Sequence, residues 1–338
     1  MKMQKGYTQM ASTRREIIKG GLALAALGAT AVPAYAKTLR VRGIFETPLE
    51  EPFVMQMHLA LTRLAKERGY EYQSSDSVKA SDYSRVLAQW CEDGVDLIVG
   101  DAYGTEQICR RVAKDYPNVA FVMSSAVDPT APNFATFYGQ INEPAYLAGL
   151  LAGKLTKTGK IGVVSAVSLP TTNALINAFK AGTKETAPNS QVKVTLIGSF
   201  FDPPRAKEAT IAMADLGVDV VYAERLGVIE AAAERHMIAI GNVTDQVSIN
   251  PDVVVTSVVW DPYPIYRAAA DAVEARKFVA VGYSTMENIA NGVNYLAPFG
   301  KFDATIPADA KALLEEKSKA IAAGTFTVPY DESDPKSE

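Results

Sequence analysis

The chain has 338 residues, 48% hydrophobic and 21% charged, with 34 basic and 38 acidic side chains and a net charge of -4. That balance excludes disordered, collagen-like and disulfide-scaffold proteins, and at roughly 150 residues per domain it suggests two domains. No basic stripe offers a nucleic-acid surface, and the two His and two Cys are too scattered to cluster as zinc ligands.

The N-terminus reads as an address. Arg14 and Arg15 precede a short apolar run over residues 20–31, and Ala34-Tyr35-Ala36 offers small residues at a cleavage site. The run is too short for a membrane span of ~20 residues. The paired arginines resemble a twin-arginine export signal, with Thr13 and Ile17-Ile18 near the usual Ser and Phe-Leu. An ordinary secretory signal holding two arginines is the alternative. Cleavage after Ala36 leaves 302 residues with a net charge of -8. The expectation is a periplasmic protein, exported and not embedded in the membrane.

From residue 37 the pattern alternates short apolar runs with helical spacing. Strands are expected at 38–45, 70–74, 95–99 and 119–123, with helices at 53–68, 83–91 and 105–114. The rhythm restarts after Asn142. A helix to about 156 leads to strands at 161–164, 192–197, 218–222, 237–240 and 253–258. Helices are expected at 171–186, 204–216, 227–235, 263–276 and 307–323. This βαβα succession argues for an α/β protein with parallel sheets covered on both faces. Two such blocks suggest two Rossmann-like lobes. Their ligand would lie between them, beyond the carboxyl ends of the strands, with hinge closure around it. Cys91 and Cys109 fall in consecutive helices, so either a disulfide or two buried thiols is open. The last residues, 331–338, are polar and expected to fray.

Residues 143–164 read EPAYLAGLLAGKLTKTGKIGVV. After them come Gly198-Ser199-Phe200-Phe201-Asp202-Pro203, Leu226-Gly227-Val228-Ile229-Glu230, Gly241-Asn242-Val243-Thr244-Asp245-Gln246 and Thr256-Ser257-Val258-Val259. In this order and spacing they resemble the basic membrane protein family, solute-binding proteins of ABC importers, many of which bind purine nucleosides. The resemblance implies a type I periplasmic binding fold with a multi-strand hinge. It divides the chain into 1–36 (signal), 37–138 plus 256–296 (first lobe), 139–255 plus 297–329 (second lobe) and a 330–338 tail. It also implies a small-molecule ligand, an ABC transporter permease as partner, a monomer, and no cofactor.

Site residues carry over from the family one by one. Its first loop holds Asp-x-x-Phe-Asn, and here Glu50, Phe53 and Val54 stand at those places. Phe53 would stack on a base, and Glu50 or its neighbour Glu51 could reach the ligand. Ser125 stands where the family often has Asp. Tyr222 matches a second stacking aromatic, Asp245 the ribose-binding Asp, and Trp260 replaces a Lys. Tyr103, just past a strand, is a further candidate. Ser125 and Trp260 together remove polar grip and add apolar surface, which favours a free base over a nucleoside. Asp202 reads as a helix cap, and His58 and His236 as structural residues. No nucleophile elbow, P-loop or Gly-rich dinucleotide turn is present, so an enzyme has no catalytic constellation to rest on. A ligand-sensing protein feeding a membrane receptor, or a binder of a sugar or flavin, is the other reading.

Overall fold

The computed structural model describes residues 38–338; the export signal read over 1–36 lies outside them. Among the described residues no helix is long and apolar enough to cross a membrane. The first half contains β1 (Arg40–Ile44), α1 (Pro52–Arg68), β2 (Glu71–Ser75), α2 (Ala80–Glu92), β3 (Leu97–Gly100), α3 (Glu106–Asp115), β4 (Ala120–Ser124) and β5 (Phe134–Phe137). Its five strands pair in parallel in the order β2-β1-β3-β4-β5. Every residue of β3 and β4 is buried, as an apolar run must be when helices cover both faces of a parallel sheet.

The second half contains α4 (Asn142–Leu155), β6 (Lys160–Ser165), α5 (Pro170–Thr186), β7 (Gln191–Leu196), α6 (Pro203–Asp215), β8 (Val220–Ala223), α7 (Val228–Glu234) and β9 (Ile238–Val243). It continues with β10 (Val254–Trp260), α8 (Tyr263–Glu274), β11 (Asn294–Leu296) and α9 (Ala308–Ala322). The second sheet runs β11-β10-β9-β8-β6-β7, with only β11 antiparallel. This is the α/β architecture with parallel sheets expected from the sequence. One boundary moves. Residues 256–296 were expected in the first lobe, but β10 pairs with β9 and β11 with β10, so both strands extend the second sheet. Only the stretch between them returns: α8 packs on α1, β3 and β4, and Thr136 of β5 bridges to Gly282. The chain therefore crosses between lobes three times, at 138–141, 260–263 and 287–293.

Local chemistry seats the elements that reach the interlobe space. Glu51 caps α1, its Oε2 accepting from the N–H groups of Phe53 (2.9 Å) and Val54 (3.1 Å). Pro52 takes the first helical position, where no N–H is needed. Helices α4 and α5 cross at Gly149 and Gly182. A Cβ on either would stand 2.0 Å from a carbonyl oxygen of the other helix, that of Phe179 or Tyr146. Only glycine lets α5 sit this close to α4.

Two further expectations meet the structure here. The tail does not fray. Asn173 donates to the Glu332 carbonyl (3.0 Å), and Asn177 to those of Asp331 (3.0 Å) and Ser333 (2.9 Å). The Glu338 N–H reaches the Val192 carbonyl of edge strand β7 at 3.1 Å. Donors along the outer face of α5 thus hold a segment that its polarity alone would leave in water. Cys91 and Cys109 are both free and buried. Burial pushes each thiol up to about 12.

Candidate ligand-binding cleft

A cleft of about 300 Å³ opens between the carboxyl ends of the two sheets, where ligands of open α/β sheets sit. The first lobe lines it with Glu46, Thr47 and Glu51 from the β1–α1 loop, Phe53 of α1, Asp101 and Tyr103 after β3, and Tyr138-Gly139 after β5. The second lobe supplies Thr171 and Thr172 of α5, Phe200 after β7, Glu224-Arg225 after β8, and Asn242-Val243 at the end of β9. Each of these loops leaves a strand whose apolar residues are locked in a sheet, so the polar groups are held by rigid elements.

Four carboxyl groups and one guanidinium face this space. Arg225 is engaged through all three of its nitrogens. Its Nε and Nη2 donate to Glu224 at 2.8 and 2.7 Å, and its Nη1 donates to the Phe200 carbonyl at 2.6 Å and to Glu51 Oε1 at 3.2 Å. The last bond joins the two lobes, with Arg225 and Glu51 side chains 5% and 4% exposed. Burial pushes the Glu51 carboxyl up, and Arg225 offsets this only in part. Burial opposes the Arg225 charge, but Glu224 and Glu51 more than compensate. Glu224 is itself fixed by Ser165 Oγ at 2.8 Å.

Asp101 and Glu46 form the opposite wall. Ser124 (2.9 Å) and the Tyr103 N–H (3.3 Å) donate to Asp101 Oδ1. The Gly104 N–H and Thr105 Oγ1, both at 3.0 Å, donate to Glu46 Oε1. Each carboxyl keeps an oxygen outside those bonds. Burial raises both pKa values, and for Glu46 the neighbouring Asp101 charge adds to it. With the cation spoken for, the cleft is a set of acceptors beside an aromatic ring. Neutral ligands rich in N–H or O–H donors suit it, and anionic ones do not.

The structure distributes the sequence candidates over three settings. Phe53 and Tyr103 line the cleft; the Tyr103 hydroxyl donates to the Tyr138 carbonyl at 2.5 Å. Trp260 and Tyr222 stand one layer back. Trp260 is 1% exposed and stacks behind Phe53, ring centroids 4.8 Å apart and planes 12° from parallel. Tyr222 is fully buried against Phe179, and its hydroxyl donates to Asn242 Oδ1 at 2.5 Å. It aims Asn242 rather than touching the cleft.

Ser125, Asp245 and Glu50 are not among the lining residues. Ser125 donates to Glu106 Oε1 at 2.7 Å on a separate depression. Asp245 is exposed and caps its own turn through the Val247 N–H at 3.0 Å. Glu50 is exposed because Glu51, not Glu50, takes the helix cap and turns inward. Among the lining residues not singled out from sequence are Glu46, Asp101, Phe200, Glu224, Arg225 and Asn242. Their signal was position: Asp101 and Glu224 are the first residues after buried strands.

Behind Phe53 lies one more carboxyl. Glu287, 4% exposed, accepts from the Tyr138 N–H (2.9 Å), the Gly139 N–H (2.7 Å) and Trp260 Nε1 (3.2 Å). Burial, partly offset by these donors, pushes it up to about 7. The folded protein thus binds this proton more tightly than the unfolded chain. The group's contribution to stability is full below the ordinary carboxyl range and lost as pH rises to about 7. Urea titrations of wild type and Glu287→Gln at pH 5 and 8 should differ by a change of ~3 kcal/mol. Equal pH slopes in the two proteins would refute this.

Similarity to known proteins agrees with this geometry. Residues 46–325 match the family described as ABC transporter substrate-binding protein PnrA-like. A purine-binding protein of Brucella abortus is 30% identical over 263 residues, 76% of this chain and 73% of its own. The ABC transporter nucleoside-binding protein BmpA of Lactococcus lactis is 33% identical over 159 residues, 47% of this chain and 45% of its own. Among solved structures, an ABC transporter solute-binding protein from Conexibacter woesei superposes with a TM-score of 0.70. It is 23% identical and covers 87% of this chain and 99% of its own.

Proposed function

Because the chain belongs to the PnrA-like family of ABC transporter substrate-binding proteins, we propose that its cleft binds a neutral purine, base or nucleoside, for delivery to an ABC permease. The observation that carries this is the pairing of a flat apolar wall, Phe53 backed by Trp260, with the acceptor oxygens of Asp101 and Glu46. A purine offers a π face to the first and N–H donors to the second. The purine-binding Brucella relative supports the ligand class. The preference for a free base rested on Ser125 and Trp260, and neither lines the cleft. The acceptors present suit ring N–H groups and ribose hydroxyls alike.

Charge separates this ligand class from its phosphorylated relatives. The lining carries four acids against one arginine that already holds two of them. Calorimetry with adenine, hypoxanthine, adenosine, inosine, AMP and glucose tests the reading. At least one neutral purine should bind, and AMP should bind at least ~100-fold more weakly, the effect of ~3 kcal/mol of unpaired buried charge. Binding of glucose with no purine binding would overturn the proposal, and tight AMP binding would overturn its electrostatic part.

The proposed place of action is the periplasm, reached as a monomer through the twin-arginine route. Replacing Arg14 and Arg15 by Lys should leave precursor in the cytoplasm. Unchanged export of that variant, measured by fractionation, would exclude this route.

A further inference from the structure

We propose that Glu287 is a positioning residue of the cleft: it is the joint at which the three lobe crossings meet, and it sets the wall behind Phe53. This rests on the reading of the cleft as a site for a flat aromatic ligand. Glu287 does not line the cleft. It sits on the third crossing, its Oε2 takes the Tyr138 N–H and its Oε1 the Gly139 N–H of the first, and Oε1 also takes the Trp260 Nε1–H at the second. Among the described residues no Lys or Arg forms an ion pair with it. The titratable groups that face it are Tyr103 from the β3–α3 loop and Tyr266 from α8. Its partners are therefore N–H donors from the other two crossings. Withdrawing any of them would leave a buried carboxyl under-bonded, which is costly.

Two routes run from this carboxyl to the same ring. One passes through the Trp260 indole, stacked on Phe53. The other passes through Gly139, held at φ 71°, where a Cβ would stand 2.9 Å from the Phe53 ring. A third contact fixes Tyr138, whose carbonyl anchors the Tyr103 hydroxyl. A single buried group thus orients Phe53, Tyr103, Tyr138 and Gly139, all on the cleft surface, while itself remaining at the pivot. A residue that merely stabilised the hinge would need neither route.

The test uses the exported chain carrying Trp90→Phe, in which Trp260 is the sole tryptophan. At pH 8, where Glu287 is mostly ionised, and without ligand, Glu287→Gln should shift the Trp260 emission, because the charge at its Nε1–H is gone. With adenine and adenosine as probes, the same variant should raise Kd about tenfold, the effect of one charged hydrogen bond. In a Trp260→Phe background, which keeps a ring but lacks the donor, that increase should shrink to about threefold or less, because the two changes act on one contact. Unchanged emission, or a full tenfold effect in both backgrounds, overturns the assignment. Should the parent protein bind neither probe, hypoxanthine and inosine take their place; should it bind none of the four, the ligand reading fails, and the unliganded emission alone decides whether Glu287 holds the indole. Should Glu287→Gln not fold, Trp260→Phe carries the test: weaker purine binding supports the joint, and unchanged binding overturns it.

Discussion

Replacing Arg225 by Ala should destabilise the protein by ~3–5 kcal/mol, because removing one partner of a buried ion cluster leaves the others uncompensated. Glu51 and Glu224, with side chains 4% and 7% exposed, would face each other's charge without the cation between them. For a chain of this size that corresponds to a drop in melting temperature of roughly 5–8 °C. The pH dependence identifies the cause. Unpaired in burial, the two carboxyls would bind protons more tightly folded than unfolded, so the deficit should shrink as pH falls from 8 to 5. Calorimetric melting of both proteins across that range gives the comparison. A deficit independent of pH would mean that Arg225 acts through packing on Phe200 and not through its charge.

The Phe53→Ala variant should bind purines about 5- to 150-fold more weakly, the range set by ~1–3 kcal/mol for stacking on one aromatic ring. The loss has two sources. The ligand loses its apolar wall, and the volume of the missing ring opens in front of Trp260, which Glu287 still holds one layer back. Phe201→Ala is the control: Phe201 is exposed on the second lobe and does not line the cleft. Equal loss in both variants, measured by calorimetry, would place the ligand elsewhere.

How far the sequence leads is visible in particular residues. Strands such as β3 and β4 declare themselves because a parallel strand buried on both faces is a continuous apolar run. The strands not foreseen, β5 and β11, are edge strands of four and three residues. They are held by pairing with a neighbour more than by a pattern of their own. Only pairing shows that β10 belongs to the second sheet, since its residues would suit either lobe.

The site divides along the same line. Phe53 was legible because it follows a helix-starting turn at the end of a strand. Which of Glu50 and Glu51 turns inward depends on helix capping, which is a matter of one residue's register. Trp260 and Tyr222 were legible as aromatics at strand ends, but depth within the wall depends on partners far away in sequence, Glu287 and Asn242. Arg225 could not be assigned without knowing that the other lobe brings Glu51 to within 3.2 Å of it.

The central claim is that a neutral purine sits in this cleft, its ring on Phe53 and its donors on Asp101 and Glu46. A crystal structure of the protein with the tightest-binding purine of the panel tests it most directly. The expected result is a ring stacked on Phe53, with ring or exocyclic N–H groups within hydrogen-bonding distance of Asp101 or Glu46 and the Glu51–Arg225 bridge closed over it. A purine bound outside the cleft, or inside it with no contact to Phe53 or either carboxyl, would contradict the account.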